Sequence, residues 1–249
     1  MLTPLALVLA ASLAHAADGP ASILLPRAGR PAARTVGVEV WGMGTTSTVC
    51  AEPAMSPDGT TTFGGGCEDT MDVLGGPSLR ADLPVGDRGA VELRGGWIGD
   101  DGEDVPVASA FLRVRAYGTD SVTVTPWVGG VKVLPGLFGS NFGGSAGLWA
   151  AGAAVDAGGE KVRVDLSIPV VALIEEDFET EFIPFGLPAL FSEAGVRVEI
   201  APGHSLRAGT ASLAPGVAWR GAFEKASVEV AVHGVYDVVF ARASVSKTF

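Results

Sequence analysis

A histidine, a serine and a glutamate lie close together in the sequence, and these are the residue types of a Ser–His–acid hydrolase. They are His204, Ser205 and Glu199. In such enzymes the histidine takes the hydroxyl proton while the serine oxygen attacks a carbonyl carbon. Here, however, His204 and Ser205 follow Gly203 in a short predicted turn, where polar residues are common for structural reasons. We therefore predict a solvated turn and no enzyme activity.

Two further groups of residues have the chemistry of a metal site. Glu229 and His233 share one face of a predicted strand, but residues four apart on a strand are separated by about 13 Å and cannot share a ligand. The acidic segment from Glu175 to Glu181 could offer carboxylate oxygens to Ca²⁺, although it lacks the regular Asx and Gly spacing of a calcium loop. A solvated acidic surface is the alternative. We predict no metal site and no cofactor.

The two cysteines of the chain, Cys50 and Cys67, fall in one long predicted loop, residues 45–77, which is rich in Gly, Thr and Pro. In an oxidising, exported compartment two such cysteines most simply pair with each other. Free thiols or a metal pair are the alternatives, and no neighbouring histidine supports a metal. The sequence therefore predicts one disulfide.

The elements that must position these residues are strands. In the last stretch, Ser227 to Phe249, Val228, Val230 and Val232 alternate with polar residues, and the alternation resumes after a break at 234–237. A period of two indicates a β-strand. The same period recurs along the chain from residue 36, which predicts an all-β fold of about twelve antiparallel strands, or ten if residues 205–223 are divided differently. A phase slip at Gly129 and Gly130 predicts a β-bulge.

The C-terminal stretch resembles the last strand of bacterial outer-membrane β-barrels. It ends on Phe249 with apolar residues at alternate positions before it, although Lys247 stands where that family has an apolar or aromatic residue. The resemblance implies an antiparallel transmembrane barrel in the outer membrane of a Gram-negative bacterium, in contact with lipid and lipopolysaccharide. It also implies that the barrel-assembly machinery reads Phe249 as an assembly signal.

The connections between the predicted strands differ in length. Short turns at 86–89, 118–120, 156–159, 201–203 and 224–226 alternate with longer, mostly acidic loops. This pattern is typical of an outer-membrane barrel with short periplasmic turns and long extracellular loops. A soluble, exported β-sandwich is the alternative, since its strands also alternate.

The N-terminus has the features of an export signal. Residues 2–13 are apolar and lead into the cleavage pattern Ala14-His15-Ala16, so we expect a signal peptide over 1–16, with a short buried helix as the alternative. Residues 17–33 are then a periplasmic lead-in and 34–249 a single barrel domain. The formal net charge of −11 and the lack of Lys/Arg clusters exclude a nucleic-acid partner.

The polar faces of the predicted strands carry charges of both signs, which would line the lumen of a barrel. Phenylalanines in the acidic loop from Glu175 to Phe191 could pack over the mouth or gate it. The predicted lumen residues are Glu39, Arg80, Asp82, Glu92, Arg94, Arg113, Arg115, Arg163, Asp165, Arg197, Glu199, Arg207, Glu229 and Arg242, and the predicted gate residues are Glu175, Glu176, Asp177, Phe178, Phe182 and Phe185.

These residues support two functions. The first is a small porin-like channel for ions or small solutes, with selectivity set by the lumen charges. The second is a structural or surface-interaction barrel whose lumen is plugged by salt bridges. Side chains alone fill a barrel only near eight strands, so twelve strands favour the channel. A lipid hydrolase is a distant third.

Overall fold

The structure of the protein is a computed structural model. It describes residues 34–50, 54–55, 62–63, 67–100, 103–133, 146–176, 179–182, 192–211, 214–235 and 238–249. Within these ranges no helix is both long and apolar enough to cross a membrane. The predicted signal peptide and lead-in, residues 1–33, lie outside the described residues and remain predictions.

The described residues form strands joined by short turns. In chain order the strands are β1 (Thr35–Cys50), β2 (Ala54–Met55), β3 (Thr62–Phe63), β4 (Cys67–Val85), β5 (Gly89–Asp100), β6 (Glu103–Val114), β7 (Tyr117–Gly118), β8 (Val122–Val133), β9 (Ala146–Gly158), β10 (Val162–Glu176), β11 (Glu179–Phe182), β12 (Glu193–Ala201), β13 (His204–Ala211), β14 (Ala214–Phe223), β15 (Ala226–Val235) and β16 (Val238–Thr248).

Twelve of these strands form a closed antiparallel barrel. Each long strand pairs with the next long strand in the chain, and β16 returns to pair with β1 from Thr35↔Thr248 to Thr45↔Val238. The short strands lie off this ring: β2 pairs with β3, β7 with β8, and β11 with β10. Closure gives every long strand two hydrogen-bonded neighbours and leaves no open edge. The twelve-strand prediction is confirmed, and the ten-strand and sandwich alternatives are wrong.

The alternation of residue types decides which face of each strand points into the barrel. On β1, Val36, Val38 and Val40 are 45%, 52% and 56% exposed, whereas Glu39 and Trp41 between them are buried. The other strands repeat this arrangement, with exposed Val, Leu and Ile outside. The outer surface is therefore apolar and the buried inner face carries the polar side chains, as a barrel in lipid requires.

The connections at the two ends of the barrel differ. One end, called the turn end here, has the short connections 86–88, 115–121, 159–161, 202–203 and 224–225 together with Arg34 and Phe249. At the other end, the loop end, three connections are long (51–66, 134–145 and 177–192) and three are two residues long (101–102, 212–213 and 236–237). The three long connections all lie at the loop end, as predicted, and alternate there with short ones.

The strands next to the long predicted loop extend further than the hydrophobic pattern indicates. Residues 45–50 continue β1 and residues 67–77 belong to β4, although we predicted a loop over 45–77. Thr45, Thr46 and Thr48 lack apolar alternation but are β-branched, and backbone pairing to β4 needs no apolar side chain. Similarly, residues 214–216, predicted as loop, begin β14.

The predicted bulge at Gly129 and Gly130 is also wrong. The register of β8 with β6 and with β9 runs through both glycines without interruption. The apolar residues change phase in the sequence there because Val131 and Val133 are apolar residues on the inner face. A register shift occurs instead between Pro169 and Val171 in β10, where proline cannot donate a ladder hydrogen bond.

Candidate functional site

The inner face of the barrel has two zones. The charged belt lies within the first seven residues of each strand counted from the turn end, and holds eight arginines and seven carboxylates. Its members are Glu39, Arg80, Asp82, Glu92, Arg94, Arg113, Asp156, Arg163, Asp165, Arg197, Glu199, Arg207, Arg220, Glu229 and Arg242. The apolar zone lies above it, towards the loop end, and is formed by buried Trp41, Met43, Val105, Val107, Val131, Val133, Leu148, Ala172 and Phe240.

The first ion-pair network of the belt joins β4, β5 and β6. Glu92 accepts hydrogen bonds from Arg94 Nε at 2.8 Å, through Oε1, and from Arg80 Nη2 at 3.3 Å, through Oε2. The same Oε2 lies 3.7 Å from Arg113 Nη1. Arg113 also pairs with Asp82, and Arg80 lies 3.4 Å from that carboxylate. Glu92 and Arg113 have at most 1% of their side-chain surface exposed. Three arginines and two carboxylates therefore form one network with little contact with water, and their formal charges leave an excess of one positive charge.

The second network joins the first strand of the barrel to the last two. Arg242 on β16 pairs with Glu229 on β15, and its Nε lies 3.8 Å from Glu39 on β1. Because β1 and β16 close the barrel, this network spans the seam between the beginning and the end of the described chain.

The third network lies on β9, β10, β12 and β13. Arg207 Nε donates to both oxygens of Asp165 at 3.0 Å, Arg197 Nη2 lies 3.9 Å from the same carboxylate, and Arg163 pairs with Asp156. The register places Arg163 opposite Arg197 and Arg197 opposite Arg207. Three arginines thus stand side by side on adjacent strands, with Asp165 and Asp156 as their counter-charges.

Several large inner side chains lie along the barrel wall, over a glycine of the neighbouring strand. Phe111 is opposite Gly129, Trp127 opposite Gly152, and His233 opposite Gly216. A Cβ added at Gly152 would lie 2.7 Å from Trp127 Cζ2, one at Gly129 2.5 Å from Phe111 Cδ1, and one at Gly216 would collide with the His233 ring. The missing side chains therefore leave room for these rings beside the wall.

Most of the predicted lumen residues lie on the inner face of a long strand. The exception is Arg115, which follows the last residue of β6, is exposed, and donates its backbone N–H to Arg88 O at 2.9 Å in a connection at the turn end. A lining role for the others in transport stays a prediction. Sequence reasoning missed Asp156 and Arg220 in the belt and buried Glu193 above it. Asp156 was assigned to a turn, Glu193 precedes the apolar alternation of its strand, and Arg220 lies in the segment 205–223, which could be divided into strands in two ways.

The apolar zone was also missed as a feature. Trp41, Phe111 and Phe240 were placed on the polar faces of their strands, which is where they lie, but the face was described by its charges alone. Large aromatic residues that share a strand face with arginines and serines are the signal that could have identified this zone.

One predicted gate residue points away from the mouth. Glu175 accepts hydrogen bonds from Lys132 Nζ at 2.7 Å and from Trp149 Nε1 at 3.0 Å. All three residues lie on the outer face of their strands. The register shift at Pro169 reverses the phase of β10 and turns Glu175 outwards. Asp177, Phe178 and Phe185 lie outside the described residues. Glu176 ends β10 and Phe182 ends β11, but their side chains are not described.

His204 and Ser205 lie on opposite faces of β13. His204 lies on the outer face, stacked on Trp219 with ring centroids 5.8 Å apart and edge-on to Phe223 at 5.7 Å. Ser205 is the next residue and points to the opposite face, so the two do not form a nucleophile–base pair. Among the described residues no group of three or more His, Cys, Asp or Glu could hold a metal ion.

The two cysteines are directly opposite one another. Cys50 ends β1, Cys67 begins β4, and they are register partners. They therefore stand at the ends of two paired strands rather than within one loop. This position fits the predicted disulfide, which stays a prediction.

The last residue closes the ladder at the turn end. Phe249 donates its backbone N–H to Arg34 O at 2.9 Å and its side chain is 70% exposed. The Lys247 ammonium lies 5.2 Å from the centroid of the Phe249 ring, within the range of a cation–π contact. The lysine thus has a local partner at its outward position. Recognition of Phe249 by the assembly machinery stays a prediction.

Comparison with known proteins shows a likeness of fold. No protein-family model matches the chain, and no curated protein matches its sequence. The COG4313 outer membrane channel from Pseudomonas putida F1 is similar in structure, with a TM-score of 0.55, 15% identity, and coverage of 89% of this chain and 97% of that one. The toluene transporter TodX from Pseudomonas putida has a TM-score of 0.44 at 9% identity, covering 88% of this chain and 90% of that one.

Proposed function

We propose that the protein is a channel of the outer membrane of a Gram-negative bacterium and that it conducts ions or small solutes. The turn end would face the periplasm and the loop end the outside. A closed twelve-strand barrel with an apolar outer surface suits that membrane, and the fold is like that of an outer membrane channel. Lipid, lipopolysaccharide and the barrel-assembly machinery would be its partners.

The observation that carries the proposal is the way the bulky inner side chains lie. Phe111, Trp127 and His233 lie beside the wall, over glycines of the neighbouring strand. Side chains that lie along the wall leave a passage through the lumen, whereas side chains that extended across the lumen would fill it. The charged belt, with eight arginines and seven carboxylates, would then give the passage a transverse field and set its selectivity.

A second function is favoured by a different observation. Glu92 and Arg113 are almost completely buried, as are Phe111 and Glu193, and side chains that face a wide water-filled pore would be exposed. On this alternative the networks plug the lumen and the barrel serves structure or surface interaction. The two functions differ in one measurable property, the conductance of the folded barrel.

Conductance in planar lipid bilayers tests the proposal. The wild type should give discrete steps, and Gly216→Val should reduce step size because it pushes His233 off the wall into the passage. Gly95→Val is the matched control, since Gly95 lies on the outer face and a Cβ there meets no atom within 4 Å. Silence of the folded wild type would favour the plugged barrel, and equal steps in both variants would contradict the wall arrangement.

Ion selectivity tests the role of the belt. Arg197→Glu changes a partly exposed belt charge from positive to negative, so the reversal potential in a KCl gradient should shift towards cation preference. Arg115→Glu makes the same change in an exposed connection outside the strands and should shift it much less.

A further inference from the structure

A depression of 210 Å³ opens at the turn end, on β10, β12, β13 and β14 and the connections between them. Four cationic side chains line it (Lys161, Arg163, Arg197 and Arg220) together with two anionic ones (Glu160 and Glu199). Asp156, which does not line the depression, pairs with Arg163, so three positive and two negative charges remain and leave an excess of one positive charge. The depression is therefore electropositive in a protein whose net charge is −11.

The positive charge is concentrated by the register of the strands. Arg163, Arg197 and Arg207 stand opposite one another on three adjacent strands, and like charges in directly opposed positions repel. Asp156 pairs with Arg163, and Asp165 is held by both oxygens to Arg207. Arg197, in the middle, reaches Asp165 only at 3.9 Å. Its guanidinium is the least neutralised of the three, and it lines the depression.

The second guanidinium in the depression belongs to Arg220 on β14, which is partly buried. Its register partners are Ser205 on β13 and Glu229 on β15, and Glu229 pairs with Arg242. No carboxylate of the described chain forms an ion pair with it within 4.0 Å. Together with Lys161, the two guanidinium groups of the depression provide donors that converge on one concave surface, with the Ser205 hydroxyl among the lining groups.

We propose that this depression is a binding site for a small, phosphate-bearing anion. The negative charge of phosphate offsets the excess positive charge of the lining. The planar guanidinium groups of Arg197 and Arg220 match phosphate oxygens by paired N–H donors, and Lys161 adds a point charge. The site does not depend on the proposed channel activity, because it would bind its ligand in a conducting or in a closed barrel.

Calorimetric titration of the purified, full-length protein in detergent with inorganic phosphate tests the site. Arg197→Gln and Arg220→Gln should each weaken phosphate binding about tenfold or more, since each removes charge-assisted hydrogen bonds. The matched control is Arg115→Gln, which removes an exposed arginine at the same end of the barrel, beyond β6, and should change the affinity less than about twofold. An equal loss in all three variants, or no binding by the wild type, would overturn the proposal.

A variant that removes a negative charge, and is expected to have the opposite effect on affinity, keeps the test valid if an arginine variant fails to fold. Glu199→Gln removes an exposed carboxylate from the lining and should tighten phosphate binding; an unchanged or weaker affinity would count against the site. Dimethyl phosphate, a monoanion that resembles a phospholipid headgroup, should bind at least about tenfold more weakly than inorganic phosphate. Equal affinity would contradict a site for free phosphate and assign the depression to lipid headgroups.

Discussion

At the scale of single residues, the ion pairs inside the barrel are closely interdependent. Glu92 is shared by Arg80, Arg94 and Arg113, and all four side chains are buried or nearly so. Removing one partner of a buried ion pair leaves an uncompensated charge in a region of low dielectric constant, which is more costly than the loss of the pair itself.

Glu92→Gln should therefore destabilise the barrel by about 3–5 kcal/mol, because Asp82 alone then faces three arginines. The measurement is the free energy of unfolding in urea, in detergent or lipid. Glu199→Gln is the control, since Glu199 is exposed on the same inner face at the turn end, and it should change the free energy by less than about 0.5 kcal/mol. Equal stability of the two variants would mean that Glu92 is well hydrated in the folded barrel.

Residue roles were harder to predict than residue positions. A period of two places Glu39, Arg94 and Arg242 on the inner face without any knowledge of the register. Which carboxylate meets which arginine depends on register, as between Arg207 on β13 and Asp165 on β10, two strands away. The outward turn of Glu175 depends on a single register shift at Pro169, which the pattern does not reveal.

At the scale of strands, the outer face should tolerate no charge near the middle of the membrane. Leu166 on β10 is exposed on that face, and Leu166→Arg should cost about 2–4 kcal/mol near the midplane. Arg163→Ala, three residues away on the inner face, should cost much less, because Arg163 is partly exposed and its partner Asp156 can be hydrated. Unfolding in urea compares the two; a larger loss for Arg163→Ala would contradict the assignment of faces.

The ends of β1 and β4 give a second prediction at this scale. Cys50 and Cys67 are opposed in register, so we expect a disulfide that fastens the base of the connection 51–66. Mass spectrometry of the unreduced, digested protein should find the two peptides linked. The double change Cys50→Ser and Cys67→Ser should leave the barrel folded, because ladder pairing continues along β1 and β4. Free thiols in exported protein would refute the pairing.

Strand existence was predictable and strand ends were not. Twelve alternating segments favoured twelve strands over the alternative of ten, and the barrel has twelve. The ends of β1 and β4 are set by backbone pairing among threonines and other polar residues, which carry no hydrophobic period.

At the scale of the whole molecule, the closed barrel should behave as a heat-modifiable membrane protein. The folded form should migrate faster than the boiled form on a denaturing gel, because a closed hydrogen-bonded ring resists detergent unfolding. Membrane fractionation of the producing cells should place it in the outer membrane. Recovery as a soluble periplasmic protein would contradict both the location and the lipid-facing outer surface.

The seam between β1 and β16 has a kinetic consequence. Thr35 pairs with Thr248, so the final ladder joins residues about 200 positions apart, and the loop-closure entropy of such a contact is about 5 kcal/mol. Contacts of such high sequence separation form slowly. Until the seam closes, β1 and β16 are open edge strands with apolar faces, which other chains can extend by pairing. The time between synthesis and closure is therefore when this chain is most prone to aggregate.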